Sequence, residues 1–215
     1  MTLTMAEMTV RGLLRRRGSL VLMVALPLAF YVARHELVGQ SIRFLAFGLA
    51  WAVSTLALFA ALDARQTEAR LVVSGWTRRA LVGGRVLALL GIGVVLTLAY
   101  LALILADDRP VAHEPSIALL LGATAVIAVA LGTMLGAVVA RELEGALVLF
   151  IIAGLQFIAD PASTLAHVLP FWSTRELGTY AIDGEASVTA GLVHAAVVVA
   201  LAGVVSLSAR GSRSR

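Results

Sequence analysis

The sequence predicts an all-α integral membrane protein. It has six transmembrane helices, both termini inside, an N-terminal amphipathic interfacial helix, and short re-entrant outer helices between spans five and six. Three observations lead there. Hydrophobic residues make up 60% of the 215 positions and charged residues only 14%, where a soluble domain carries about 25% charged. The mean hydropathy is +0.96. The charges that remain are gathered at the ends of six apolar runs, mostly at alternate ends.

The elements follow in order. Residues 5–17, MAEMTVRGLLRRR, can place Met5, Met8, Leu13 and Leu14 on one side and Arg11, Arg15, Arg16 and Arg17 on the other. That pattern suits a helix lying in the headgroup plane. The first span is 19–33, with Pro27 inside it. A basic run before an apolar run also opens a signal peptide, but no A-x-A-like cleavage site follows. Residues 34–41 form a short external turn and 42–62 the second span. Residues 63–85, DARQTEARLVVSGWTRRALVGGR, form a cytoplasmic loop with five arginines and an apolar side of Leu71, Val72, Val73 and Trp76. The third span is 86–106, followed by the Pro-broken external turn DDRPVAHEP at 107–115. The fourth span is 116–140, and RELEG at 141–145 is a tight internal turn.

The next stretch departs from a simple span. Residues 146–159, the fifth span, fall short of the ~20 residues a crossing helix needs. Asp160-Pro161 suits an N-cap followed by Pro at N1. Residues 162–172 are apolar but again too short to cross. Ser173-Thr174-Arg175-Glu176 reads as a capping box opening another short helix. Residues 160–187 are therefore expected to dip back or lie at the outer surface, covered by the bundle. The sixth span is 188–209.

Arginine placement sets the orientation. Every basic residue that counts toward the net charge of +4 is Arg. With the N-terminus inside, Arg34, Arg43, Arg109 and Arg175 are outside and all the others inside. Orientation in a membrane accounts for the basic balance, so it does not point to nucleic acid. The absence of Cys excludes disulfides, thiolate metal sites and cysteine nucleophiles.

Polar chemistry at depth is sparse. Gln156 and His194 are the main candidates for a pathway, joined by Ser54, Thr97, Thr124 and Thr133. No acid or arginine sits mid-span, where an ion-driven carrier would need one. Energy is therefore expected to come from outside the membrane. His194 reads first as a neutral ring bonded to a neighbouring helix, with a substrate contact as the other reading. Asp107, Asp108, His113 and Glu114 read as a solvated turn rather than a metal site. The Gly132/Gly136 GxxxG pair fits close helix packing, within the chain or between subunits. No Ser/His/Asp set, HExxH or P-loop is present, so the chain is not expected to be an enzyme or to hold a cofactor.

Three stretches together resemble the permease subunits of ABC-2 type ATP-binding-cassette exporters. VRGLLRRRGSLVLMVALPLAFYV is similar to that family's amphipathic helix and proline-containing first span. EARLVVSGWTRRALVGGRVLA, 68–88, resembles its charged loop leading through Gly-Arg into the third span. The hairpin ending in LPFW, 169–172, resembles its re-entrant outer helices. The family often has a Pro just before the third span; the position near Thr77 has none. The resemblance implies a coupling element docking on a separate ATPase, carried by Glu68, Arg70, Leu71, Ser74, Gly75 and Trp76. It implies ATP and Mg bound by that ATPase subunit and a second permease, identical or homologous. It also implies export across a bacterial inner membrane, with membrane lipid around the chain; the aliphatic, donor-poor spans fit a hydrophobic or amphipathic substrate. A non-transporting membrane scaffold is the alternative, and a lipid-acting membrane enzyme a third.

Overall fold

The computed structural model describes residues 1–15, 17–160 and 163–212, and the described chain is all helical apart from turns and connections. The helices are α1 Thr2–Arg15, α2 Arg17–Ala33, α3 Val38–Val73, α4 Arg78–Ala106, α5 Glu114–Val138, α6 Glu142–Ile158, α7 Thr164–Val168, α8 Trp172–Asp183 and α9 Val188–Ser212. Four are long and apolar enough to cross a membrane: Gly39–Arg65 within α3, Arg78–Ala106, Glu114–Val138, and Val188–Ala209 within α9. The chain is thus built as a multi-pass membrane protein. α2 and α6, at 17 residues each, rise about 25 Å apiece at ~1.5 Å per residue, against a hydrocarbon core of about 30 Å.

Lipid gives apolar faces no reason to associate, so the helices are held by close packing of small residues. The most extensive pair is α3 with α5. A Cβ at Gly132 would overlap the Ser54 carbonyl oxygen and stand 2.7 Å from the Ala57 Cβ. A Cβ at Gly136 would overlap the Ala61 Cβ. The GxxxG pair therefore packs within the chain, on Ser54, Ala57 and Ala61 at matching helical spacing. Around this centre, α2 lies on α3, α4 and α9 on α5, and α8 on both α5 and α9. Large apolar residues such as Val94, Val95 and Leu98 on α4 and Val193, Val197 and Leu201 on α9 stay exposed, as a lipid-facing surface requires.

α6 runs antiparallel to α3. Gly145 sits against Leu58, the Trp51 and Phe150 rings are 5.5 Å apart, and Gln156 shares a cavity with Arg43. Pro27 is absorbed inside α2. The Tyr100 hydroxyl donates to the Val24 carbonyl at 2.8 Å, beside the gap a missing proline N–H leaves.

The N-terminal helix is docked through its start. Thr2, Met5 and Ala6 cross α4 at Gly84, and Met5 and Leu13 are buried. Met8 and Leu14 are exposed, so only two of the four residues expected on one apolar side face the bundle. A Cβ at Gly84 would lie 2.5 Å from the Thr2 carbonyl oxygen and 2.6 Å from the Met5 Cβ. Gly84→Leu is expected to lift α1 off α4. Trypsin cleavage after Arg11 should then quicken markedly in the detergent-solubilised variant, and an unchanged cleavage rate would refute this docking.

Several boundaries move from where the sequence pattern puts them. No Gly or Pro interrupts 63–73, so α3 continues through the stretch expected to be loop, and 78–85 already belong to α4. The loop shrinks to 74–77. RELEG is not a turn: the break lies at 139–141, and Glu142 and Glu144 occupy the first turn of α6, where carboxylates complement the helix dipole. The Pro161 expected at N1 lies outside the described residues; α7 is capped by Ser163, whose hydroxyl accepts from the Ala166 N–H at 3.2 Å. The capping box at Ser173–Glu176 does not form. α8 starts at Trp172, and the Ser173 hydroxyl is buried without a partner. Glu176 instead accepts from the Ser187 N–H at 3.0 Å, while the Ser187 hydroxyl accepts from Ala190 N at 3.2 Å. The acid thus caps α9, a helix it does not belong to.

The 107–115 turn is tied down rather than simply solvated. The Tyr31 hydroxyl donates to the Asp107 carboxylate at 2.5 Å, Arg109 pairs with the same carboxylate, and His35 Nε2 lies 3.2 Å from it. The N–H groups of Ala112 and His113 donate to the Ile182 and Ala181 carbonyls at the end of α8. The His113 ring stacks on Tyr180 at 4.5 Å. Hydrogen bonds from Tyr31 and then Arg109 hold the Asp107 carboxyl down at about 2, from an ordinary 3.8. A depressed carboxyl stabilises the fold fully above its unfolded value and loses that contribution as pH falls through the folded one. Asp107→Asn should therefore lower the Tm at neutral pH. The gap from wild type should close between pH 3.8 and about 2; a gap independent of pH would remove Asp107 as its source.

Candidate functional site

The end of the bundle bearing most of the arginines is organised by the α3–α4 hairpin. At ~1.5 Å per residue, the 36 residues of α3 rise about 54 Å, well beyond a core about 30 Å thick. Its last turns therefore project past the membrane. The helix stops in a Schellman arrangement. Gly75 N–H donates to the Val72 carbonyl and Trp76 N–H to the Leu71 carbonyl, each at 3.0 Å. Gly75 has φ +91, a conformation that favours glycine. Thr77 then caps α4, its hydroxyl accepting from the Ala80 N–H at 3.3 Å. Within the four residues 74–77, this chemistry has ended one helix and begun the next without a proline.

The six residues expected to couple do not form one patch. Arg70, Ser74 and Gly75 are exposed, and Leu71 and Trp76 are half-buried around the tip, beside Val73, which is 89% exposed. Glu68 turns the other way, into an open cleft of about 790 Å³ between α3, α4, α5 and α9. Arg65, Arg78, Arg79 and Arg85 line the same cleft, giving four cations to one acid. Arg65 also donates to the Gly136 carbonyl, tying α3 to the end of α5. Reading the sequence as a loop used these arginines for orientation only. A helix continued through 63–73 would have set Arg65, Glu68 and Val72 on one face.

Gln156 and His194 are not brought together. His194 Nε2 donates to the His167 carbonyl at 3.0 Å, and its ring meets Trp172 edge-on at 5.1 Å. It joins α9 to the short helices α7 and α8. Gln156 lines a separate cavity of about 360 Å³ toward the opposite end, with Gln40, Arg43, Thr174 and Arg175. Both of its amide atoms are buried without a partner. Among the described residues, no group of three or more His, Asp or Glu is placed to hold a metal ion.

No family model, curated protein or solved structure matches this chain.

Proposed function

We propose that this chain is the permease subunit of an ABC-2 type exporter, forming half of a membrane pathway. It would be driven through the α3–α4 hairpin by a separate ATPase that binds ATP and Mg. The observation that carries this reading is the uninterrupted α3. One helix runs from the centre of the bundle to Val73, three residues before Trp76 at the exposed tip, so force that reaches the end of α3 is carried to the α3–α5 contact along a single rod. The resemblance of 10–32, 68–88 and 169–172 to that family supports it, as do the exposed Arg78 and Arg79 of the cleft, which suit an acidic protein surface.

In this reading α2 and α6 also cross, making six spans with both ends in the cytoplasm of a bacterial cell. α6 keeps pace with α3 from Leu58 to Arg43, which is most of the membrane-embedded part of a spanning helix. α7 and α8 are the re-entrant outer helices, and a second permease, identical or homologous, completes the pathway. The chain contains no cysteine, so single introduced cysteines at 36, 75, 112, 144 and 185 map sidedness directly. Positions 75 and 144 should react only from the cytoplasm and the others only from outside.

The functional test is to isolate the tagged chain from its native membranes and identify what comes with it. A nucleotide-binding subunit should co-purify, and the reconstituted complex should hydrolyse ATP faster when substrate is present. A complex whose ATP hydrolysis no candidate substrate stimulates would favour the scaffold reading. Transport by this chain without any ATPase would overturn both.

A further inference from the structure

The cavity between α3, α6 and α8 has the makings of a binding site that the energy-coupling reading leaves unused. Two arginines enter it from different helices, Arg43 from α3 and Arg175 from α8. Arg43 is paired with Asp183. Arg175 has only the Ala159 carbonyl, at 3.4 Å, and no carboxylate pairs with it among the described residues. The cavity therefore holds one positive charge in excess. Gln156 lines the same cavity, and its buried amide has neither donor nor acceptor satisfied. Leaving such a group buried costs stability with no structural return, which is the pattern expected where a ligand completes the bonding.

The remaining lining states what kind of ligand. Ala46, Phe47, Ala50, Leu120 and Phe171 give it an apolar side, and Gln40, Thr174 and Thr179 further polar groups. The neighbouring α6 positions Ile151, Leu155 and Ile158 are exposed. At about 360 Å³, the cavity accepts a head group rather than a whole lipid, since sites for complete drug-sized ligands start near this size.

We propose that this cavity seats the anionic head of an amphipathic molecule, its oxyanion on Arg175 and its neighbouring hydroxyl groups on Gln156. Its apolar chain would leave along α6. Arg175 supplies the charge-assisted hydrogen bonds that planar guanidinium gives to phosphate or carboxylate. Gln156 can donate to an oxyanion oxygen and accept from a hydroxyl at once. The inference goes beyond the coupling assignment and does not depend on it, because it concerns this chain's own side chains.

The test uses the purified full chain in maltoside micelles, without ATPase or nucleotide. The probes are lysophosphatidylglycerol, lysophosphatidylcholine and inorganic phosphate, with binding followed by native mass spectrometry and by thermal shift. Lysophosphatidylglycerol should bind saturably, one molecule per chain, and raise the Tm; lysophosphatidylcholine should not. Arg175→Gln should weaken binding about tenfold or more, while Arg141→Gln, exposed at the other end, should leave it unchanged. Gln156→Leu should raise the Tm of the ligand-free chain and still weaken the probe several-fold. That opposition of signs is one a merely structural glutamine would not produce. Equal binding by wild type and Arg175→Gln, or equal binding of the two lysolipids, would overturn the proposal. Displacement by inorganic phosphate at the probe's own concentration would overturn the amphipathic assignment and leave a seat for a soluble anion. A chain that binds the probe yet purifies without any ATPase would keep this site and lose the coupling reading.

Discussion

Gly132→Leu is expected to abolish recovery of folded, monodisperse protein. The position lies where α5 presses on α3, and the first atom any side chain meets is the Ser54 carbonyl oxygen. A backbone oxygen cannot be trimmed by a second mutation, so the helices must separate. Overpacking a filled site typically costs about 1–3 kcal/mol, and more where backbone has to shift. In a membrane, close approach of this kind is also the main source of helix association. Gly136 provides the contrast, because its nearest neighbour is the Ala61 Cβ, a side-chain atom. Gly136→Ala should lower the Tm, and adding Ala61→Gly should recover much of the loss. Ala57→Gly should not rescue Gly132→Ala. Size-exclusion profiles and thermal unfolding in detergent read both pairs. If Gly132→Leu elutes and melts like wild type, the tight packing of α3 on α5 is wrong.

Trp76→Ala is expected to reduce ATP-driven transport by about tenfold or more, the scale of losing an aromatic anchor from an interface. Its Tm should hardly change. Trp76 is half-buried at an exposed turn and belongs to no part of the core. Gly75→Asp should lose coupling too, for a different reason: at φ +91 a side chain strains the turn by roughly 1–2 kcal/mol, moving the tip out of register with α4. In both variants the ATPase should lose substrate stimulation or dissociate from the complex. Wild-type transport by Trp76→Ala would remove the hairpin tip from the coupling route.

Much of the architecture was legible in the residues because lipid narrows the choices. Apolar run length and the proline turn at 107–115 located the apolar centres of the four long helices, since a chain buried in a bilayer must satisfy its backbone hydrogen bonds internally. The errors fell where a helix runs on in water. Between 63 and 73 the charges resemble a loop, yet nothing there breaks an α-helix, and Gly75 is the first residue that can. The Ser173–Glu176 spacing matched a capping box, but pattern matching could not foresee that Glu176 would reach Ser187 instead. Gln156 was visible as a polar residue at depth. That Arg43 and Arg175 would flank it was not, because they stand more than a hundred residues apart and meet only once α8 folds back onto α3.

One geometric consequence of α3 concerns the cavity. The rod bears on α5 from Ser54 through Ala57 to Ala61, with Trp76 beyond one end and Arg43 near the other. From Ser54, at ~1.5 Å per residue, the arm to Val73 is about 28 Å and the arm to Arg43 about 16 Å. If Ser54 acts as a fulcrum, pushing the tip sideways by about 5 Å swings Arg43 some 3 Å the opposite way, about the length of one hydrogen bond. Such a seesaw would shift Arg43 and its partner Asp183 against the Arg175 side of the cavity with each stroke at the tip.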